Sequence, residues 1–161
     1  MNELVPTLND VPAQARTKSV ELLNQALADL SDLYSQAKQA HWNVRGKTFY
    51  SQHLLFDQVA DSVEEFLDEI AERVVQLGGV AQGTVRQAAA RSSLKEFPTD
   101  NWDDLAYVKA LAERFAVCAK AARNSIDASD ECGDKDTADL FTGVSKALDK
   151  SLWFLEAHLR G

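Results

Sequence analysis

Glycine, proline, cysteine and histidine are all scarce in this chain of 161 residues, at 7, 3, 2 and 3 respectively. So few glycines and prolines leave little material for the many tight turns of an all-β domain, and they favour long uninterrupted helices. Cys118 and Cys132 have neither C-x-x-C nor zinc-finger spacing, which argues against a cysteine-based metal site; a packed thiol and a loop thiol are expected. No apolar run reaches transmembrane length, and the first residues lack the basic-then-apolar pattern of a signal peptide. The expectation is therefore a cytoplasmic protein with no membrane partner. Basic residues are also outnumbered, 17 against 25 acidic, for a net charge of -8. They do not gather in one patch, so a polyanion such as DNA is a poor partner, whereas an acidic shell suits cations. One missing motif also matters: E-x-x-H occurs nowhere.

What is present reads as helix. With 45% apolar residues the chain can bury one sizeable core, so a single domain is expected over residues 15–161 behind an extended arm at 1–14 that carries Pro6 and Pro12. Val20, Leu23, Leu27, Leu30 and Tyr34 recur at threes and fours, predicting a helix from about Thr17 to Asn43. "VRGK" breaks it, and a second helix is expected from about Phe49 to Leu77, stopping at Gly78-Gly79. A connection over residues 78–101 follows, with a short helix around "VRQAAAR". A third helix is expected from near Asp103, with Leu105, Val108, Leu111 and Phe115 on one stripe, ending before "SDECGDKD". The last runs from about Thr137 to Leu159, with Leu140, Phe141, Val144, Leu148, Leu152 and Leu155 inward. Two hairpins joined by a long connection predict an all-α, ferritin-like four-helix bundle with one long crossover carrying a short helix. Many functions use such bundles, so the fold alone assigns none.

The second helix carries more than packing requires. In "HLLFDQVADSVEEFLDEIAER", His53 and Asp57 lie on one face, as do Asp68 and Glu72. Asp57 and Asp68 are eleven residues apart (68 − 57), close to three turns, so all four share a broad stripe. The centres of the two pairs lie roughly 22 Å apart along the axis, whereas metal bonds to oxygen or nitrogen are about 2 Å. One helix cannot bring both pairs to one ion. Self-contained di-iron bundles use Glu and His three residues apart on two helices, and that motif is absent. A remaining solution is a second copy whose helix crosses this one antiparallel about a twofold near residues 62 and 63. Asp68 and Glu72 of one chain then meet His53 and Asp57 of the other, and symmetry makes two equivalent sites. His41, at the end of the first helix, can add a third ligand. Such a mixed set suits ferrous iron, with manganese or zinc as competitors.

These stretches also resemble a known family. "KQAHWNVRGKTFYSQHLLFD", "LDEIAERVVQLGG" and "DTADLFTGVSKALDKSLWFLEAHL" are similar to the DNA-protection-during-starvation (Dps) mini-ferritins over roughly residues 17 to 160. The resemblance implies a dodecameric shell that oxidises ferrous iron, preferentially with hydrogen peroxide, and stores ferric mineral. This is a ferroxidase activity that protects against oxidative stress. The family's ferroxidase ligands fall on His41, His53 and Asp57 from one chain and on Asp68 and Glu72 from its mate. In that arrangement Glu72 bridges two irons, His41 and Asp68 complete the tighter position, and His53 and Asp57 complete the weaker one. Trp42 falls where the family often has a tryptophan, implying radical quenching; a packed aromatic is the other reading.

"ECGDKDTADLF" matches the segment lining the family's iron-entry pore, with Asp139 best placed and Asp134 and Asp136 as further candidates, although Asp134 or Asp136 can instead cap the last helix. Relatives that bind DNA commonly use a lysine-rich tail, and here no lysine precedes Lys18. Twelve chains at -8 each would carry roughly a hundred negative charges. Weak or absent DNA binding is expected; the alternative is a nucleoid-associated protein that shields DNA physically. His158, in the last turn of the final helix, reads as a surface or capping residue, and Trp153 as core or interface.

Overall fold

The computed structural model describes residues 4–99 and 104–160. The helices are α1 (Ala13–Asn43), α2 (Phe49–Gln76), α3 (Val85–Arg91), α4 (Asp104–Cys132) and α5 (Lys135–Ala157), and no strand occurs among the described residues. Hairpins α1/α2 and α4/α5 face each other, α1 lying against α4 and α2 against α5. The all-α bundle with a short crossover helix is thus present. Leu23, Leu27 and Leu30 of α1, Phe56 and Val63 of α2, Leu111 and Phe115 of α4 and Phe141 and Leu155 of α5 fill the centre. Each such side chain contributes about 1.5–3 kcal/mol by leaving water. Leu105, expected on the inward stripe of α4, is instead exposed.

Helix ends depart from the pattern-based boundaries for identifiable reasons. α1 begins at Ala13, inside the stretch expected as arm, where Pro12 is the N-cap and its carbonyl accepts the first helical bond from the Arg16 backbone N–H at 3.0 Å. α4 continues through "SDEC" to Cys132 and stops where Gly133 adopts φ +91°, a conformation that suits glycine as a helix terminator. Its expected start at Asp103 lies outside the described residues. Asp134 then caps α5, its carboxylate accepting from the Thr137 backbone N–H at 3.1 Å. Two long helices are therefore separated by only a Gly-Asp pair.

The crossover is held by a polar seam on α1. Asn24 accepts from the Gln82 backbone N–H at 2.8 Å and donates to the Val80 carbonyl at 3.1 Å. Gln25 donates to the Arg91 carbonyl, Asp29 accepts from the Ser93 N–H at 2.7 Å, and Gln36 donates to the Lys95 carbonyl. The segment lacks long helices of its own, so these side chains satisfy backbone groups that burial would otherwise leave unpaired. α3 within it is closed by a Thr84–Gln87 capping box.

The arm is also fastened. The Val5 N–H donates to the Gly78 carbonyl at 2.8 Å, and the Arg16 guanidinium donates to the carbonyls of Val11 (3.1 Å) and Leu77 (3.0 Å). Gly78 has φ +83°, and a Cβ there would stand 2.5 Å from the Val5 carbonyl oxygen, so only glycine fits.

At the other side of the α2 end, the Arg73 guanidinium donates to Asp134 Oδ1 at 2.7 Å and to Thr137 Oγ1 at 3.0 Å. Asp134 is 1% exposed. Burial opposes its charge, but hydrogen bonds from Thr137 and Arg73 outweigh that and hold its carboxyl below the ordinary value of 3.8. A depressed carboxylate stabilises the fold above its unfolded pKa and loses that contribution as pH falls through the folded value. Asp134→Ala is expected to cost about 3 kcal/mol near neutrality by leaving Arg73 without its buried partner. The difference in denaturant midpoint from the parent should narrow as the pH is taken below 3.8. A gap that stays constant through that range would rule the ion pair out as its cause.

Candidate metal centre

The turn between α1 and α2 brings the two central histidines together. α1 ends at Asn43 and α2 starts at Phe49; Gly46, at φ +121°, reverses the chain and its carbonyl accepts from the Phe49 N–H at 3.2 Å. His41 in the last turn of α1 thereby stacks on His53 in the second turn of α2, ring centroids 3.7 Å apart and planes 21° from parallel.

Each ring is tied to the other residue's backbone. His41 Nδ1 is 2.8 Å from the His53 carbonyl oxygen, and His53 Nδ1 is 2.9 Å from that of His41. A carbonyl oxygen only accepts, so both Nδ1 atoms must carry hydrogen. In the neutral imidazole the lone pair then lies on Nε2, free to bind a metal, and the orientation is fixed by the usual outer partner of a metal-ligating histidine. This reciprocal clasp also occupies the His41 carbonyl in the last turn of α1, where intrahelical partners run out.

Asp57 sits one turn beyond His53, with Oδ1 3.7 Å from His41 Nδ1. Its principal partner is the Lys38 ammonium, which lies one turn before His41 on α1. That hydrogen bond holds the Asp57 carboxyl below its usual range and the Lys38 ammonium above its own. Lys38 was not among the residues singled out by sequence; its spacing of three before His41 was the available signal.

The structure brings His41, His53 and Asp57 into one corner but does not bring Asp68 and Glu72 to them. Those two acids are exposed further along α2. Among the described residues, no three His, Cys, Asp or Glu side chains are disposed to enclose a cation within one chain. Trp42 is 67% exposed, so within this chain it is not the packed aromatic of the alternative reading. With Lys38, Tyr34 and Leu67 it lines an open cleft of about 570 Å³ between α1 and α3.

Of the three candidate pore acids, Asp134 is buried in its cap and ion pair, while Asp136 and Asp139 are exposed. Arg73, whose partner is Asp134, is the final residue of "DEIAER" and a structural anchor that the sequence reading left without a role. Both cysteines are free thiols; burial pushes Cys118 up to about 12, which leaves it inert, and Cys132 closes α4. His158 donates from Nδ1 to the Phe154 carbonyl at 2.8 Å, and Trp153 is exposed.

A crossover bundle with a histidine-carboxylate corner is the architecture of ferritin-like proteins, and the Ferritin-like domain family matches residues 20–161. A DNA protection during starvation protein from Agrobacterium fabrum (strain C58) is 46% identical over 154 residues, covering 96% of this chain and 95% of the relative. DpsC from Streptomyces coelicolor superposes with a TM-score of 0.94 at 30% identity, over 100% of this chain and 96% of that one. The Dps protein from Vibrio cholerae O1, described as a member of a broad superfamily of ferritin-like diiron-carboxylate proteins, gives 0.90 at 25% identity over 99% and 100%. The chain belongs to the DNA-protection-during-starvation (Dps) family. Membership points to iron storage and protection as the broad function and to iron as the metal handled. No helix among the described residues is long and apolar enough to cross a membrane.

The clasp makes a spectroscopic prediction. In metal-free protein labelled at histidine nitrogen, long-range proton–nitrogen correlation spectra at mildly alkaline pH should show His41 and His53 as Nδ1–H tautomers. Nε2–H signals from either ring would contradict the assignment.

Proposed function

We propose that this protein is a ferroxidase and iron store: it oxidises ferrous iron, preferentially with hydrogen peroxide, at sites shared between twofold-related subunits of a dodecameric shell. The observation that carries the reading is the pair of clasped imidazoles, both with Nε2 free, beside a carboxylate, on the helix that also bears the exposed Asp68 and Glu72. Ferrous iron is the substrate. His41, His53 and Asp57 form one half of its site, and Asp68 and Glu72 of a second copy form the other. Glu72 bridges two ions, His41 and Asp68 complete the tighter position, and His53 and Asp57 complete the weaker one. Zinc and manganese, which accept the same donors, compete there.

The chemistry is redox-balanced without a resident cofactor. Two ferrous ions give up one electron each, the peroxide O–O bond accepts both and breaks, and its oxygens leave as water or hydroxide. Hydrolysis of the ferric ions then yields oxyhydroxide mineral and releases protons to solvent. Fixed imidazole and carboxylate donors lower the cost of this step by holding the ions where the oxidant can reach both. Asp139, with Asp136 beside it, supplies negative charge at the iron entry path, which concentrates cations by focusing. Trp42, exposed and next to His41, is placed to give up an electron to any radical formed at the centre.

Shared sites predict complementation. A chain carrying His41→Ala, His53→Ala and Asp57→Asn and a chain carrying Asp68→Asn and Glu72→Gln should each oxidise iron poorly as homo-oligomers. In a mixed dimer one site combines both defects and the other combines both intact halves, so co-assembled protein should recover rapid peroxide-dependent oxidation. Failure of the mixture to exceed the separate variants would sink the inter-subunit site.

DNA association is weak or absent on this reading. The net charge of -8 and an arm tied through Val5 to Gly78 and through Val11 to Arg16 support it, because phosphate binding draws its strength from free basic groups. The assembled protein should leave plasmid DNA unretarded on a gel near neutral pH and low salt; a salt-sensitive shift would favour the nucleoid-protein alternative.

A further inference from the structure

The closest polar partner of Asp57 is a cation the chain supplies itself. The Lys38 ammonium bonds Asp57 Oδ1 directly, with the Lys38 side chain 21% exposed and that of Asp57 39%. A carboxylate held this way offers a metal one of its oxygens only in competition with the ammonium. Lys38 also lines the cleft of about 570 Å³ between α1 and α3, where Asp32 and Glu96 are further lining residues. A flexible four-carbon stem can therefore swing its charge off Asp57 into a cleft that already contains acids.

We infer that Lys38 is the resting occupant of the weaker cation position, so that the centre takes one metal ion readily and a second only by displacing this ammonium from Asp57. The inference rests on the inter-subunit reading of the site given above. Counting charge at such a centre, Asp57 with the partner's Asp68 and the partner's Glu72 gives -3, and Lys38 brings this to -2, which one divalent ion neutralises. A second divalent ion entering with Lys38 in place would leave +2; with Lys38 withdrawn it leaves +1. Expulsion of the lysine is thus coupled to filling the site. No proton changes hands, because the lysine moves as an ammonium ion. Lys38 acts through Asp57 and is a positioning residue, not a ligand.

Equilibrium titration of the assembled, metal-free protein with cobalt(II), followed by heat and by visible ligand-field absorption, tests this without any turnover. The parent should show a tight class and a weak class of sites. Lys38→Met, which keeps an unbranched stem and removes the charge, should tighten the weak class by about tenfold while leaving the tight class in place. Lys38→Arg should weaken it, since a guanidinium grips a carboxylate with two parallel bonds. Asp57→Asn is the control that separates the two levels of argument. If it abolishes the weak class but Lys38→Met and Lys38→Arg leave that class unmoved, or move it in the same direction, the role of Lys38 is overturned and the shared site stands. If Asp57→Asn leaves both classes intact, the shared site and the inference fall together.

Discussion

An α-helix rises about 1.5 Å per residue, and that constraint governs how α2 can be used. Its His53/Asp57 end and its Asp68/Glu72 end can never face the same ion in one chain, however the rest of the bundle packs. The structure keeps the two ends apart. The α1/α2 turn sets one half against the last turn of α1, where the two imidazoles lock each other through backbone carbonyls. The other half is left exposed along a helix whose opposite face is filled by Phe56, Val63 and Ile70. In the proposed centre, quaternary symmetry does the work that E-x-x-H motifs on paired helices do in self-contained bundles.

Both ends of α2 carry polar contacts beside their apolar burial. Near its start lie the stacked imidazoles and the Lys38–Asp57 pair; near its end Arg73 grips the cap of α5 while Arg16 grips Leu77. Buried ion pairs such as Arg73–Asp134 add little net stability compared with an apolar substitute, because desolvation offsets most of the attraction. Here the pair links the end of α2 to the start of α5, since Arg73 bonds both Asp134 and Thr137.

Much of this was legible in the sequence. Apolar spacing and the breaks at "VRGK" and Gly78-Gly79 located the four long helices, a short helix was expected at "VRQAAAR", and His41 was expected to join the His53 side. What was not legible depends on contacts between segments distant in the chain. Lys38 looks like any solvated lysine on an amphipathic helix until the turn places Asp57 against it. Asp134 carries the same composition signal as Asp136 and Asp139, and only the position of Arg73, sixty-one residues earlier (134 − 73), separates the buried cap from the exposed acids. The polar residues Asn24, Gln25, Asp29 and Gln36 carried no sequence signal for their role as the surface on which the crossover is laid. α4 outran its expected end because "SDEC" is polar enough to suggest a loop, whereas Ser129 is buried and the actual stop is Gly133.

The bond from the Val5 N–H to the Gly78 carbonyl orders events in time as well as in space. A ribosome makes residue 5 long before residue 78, a gap of seventy-three residues (78 − 5), so the front of the chain must wait without its partner while α1 and α2 emerge. Only when α2 is complete and has reached its glycine terminator can the leading segment close over it. The closure therefore depends on a completed α2, and a change that displaced Gly78 would leave Val5 without its backbone partner.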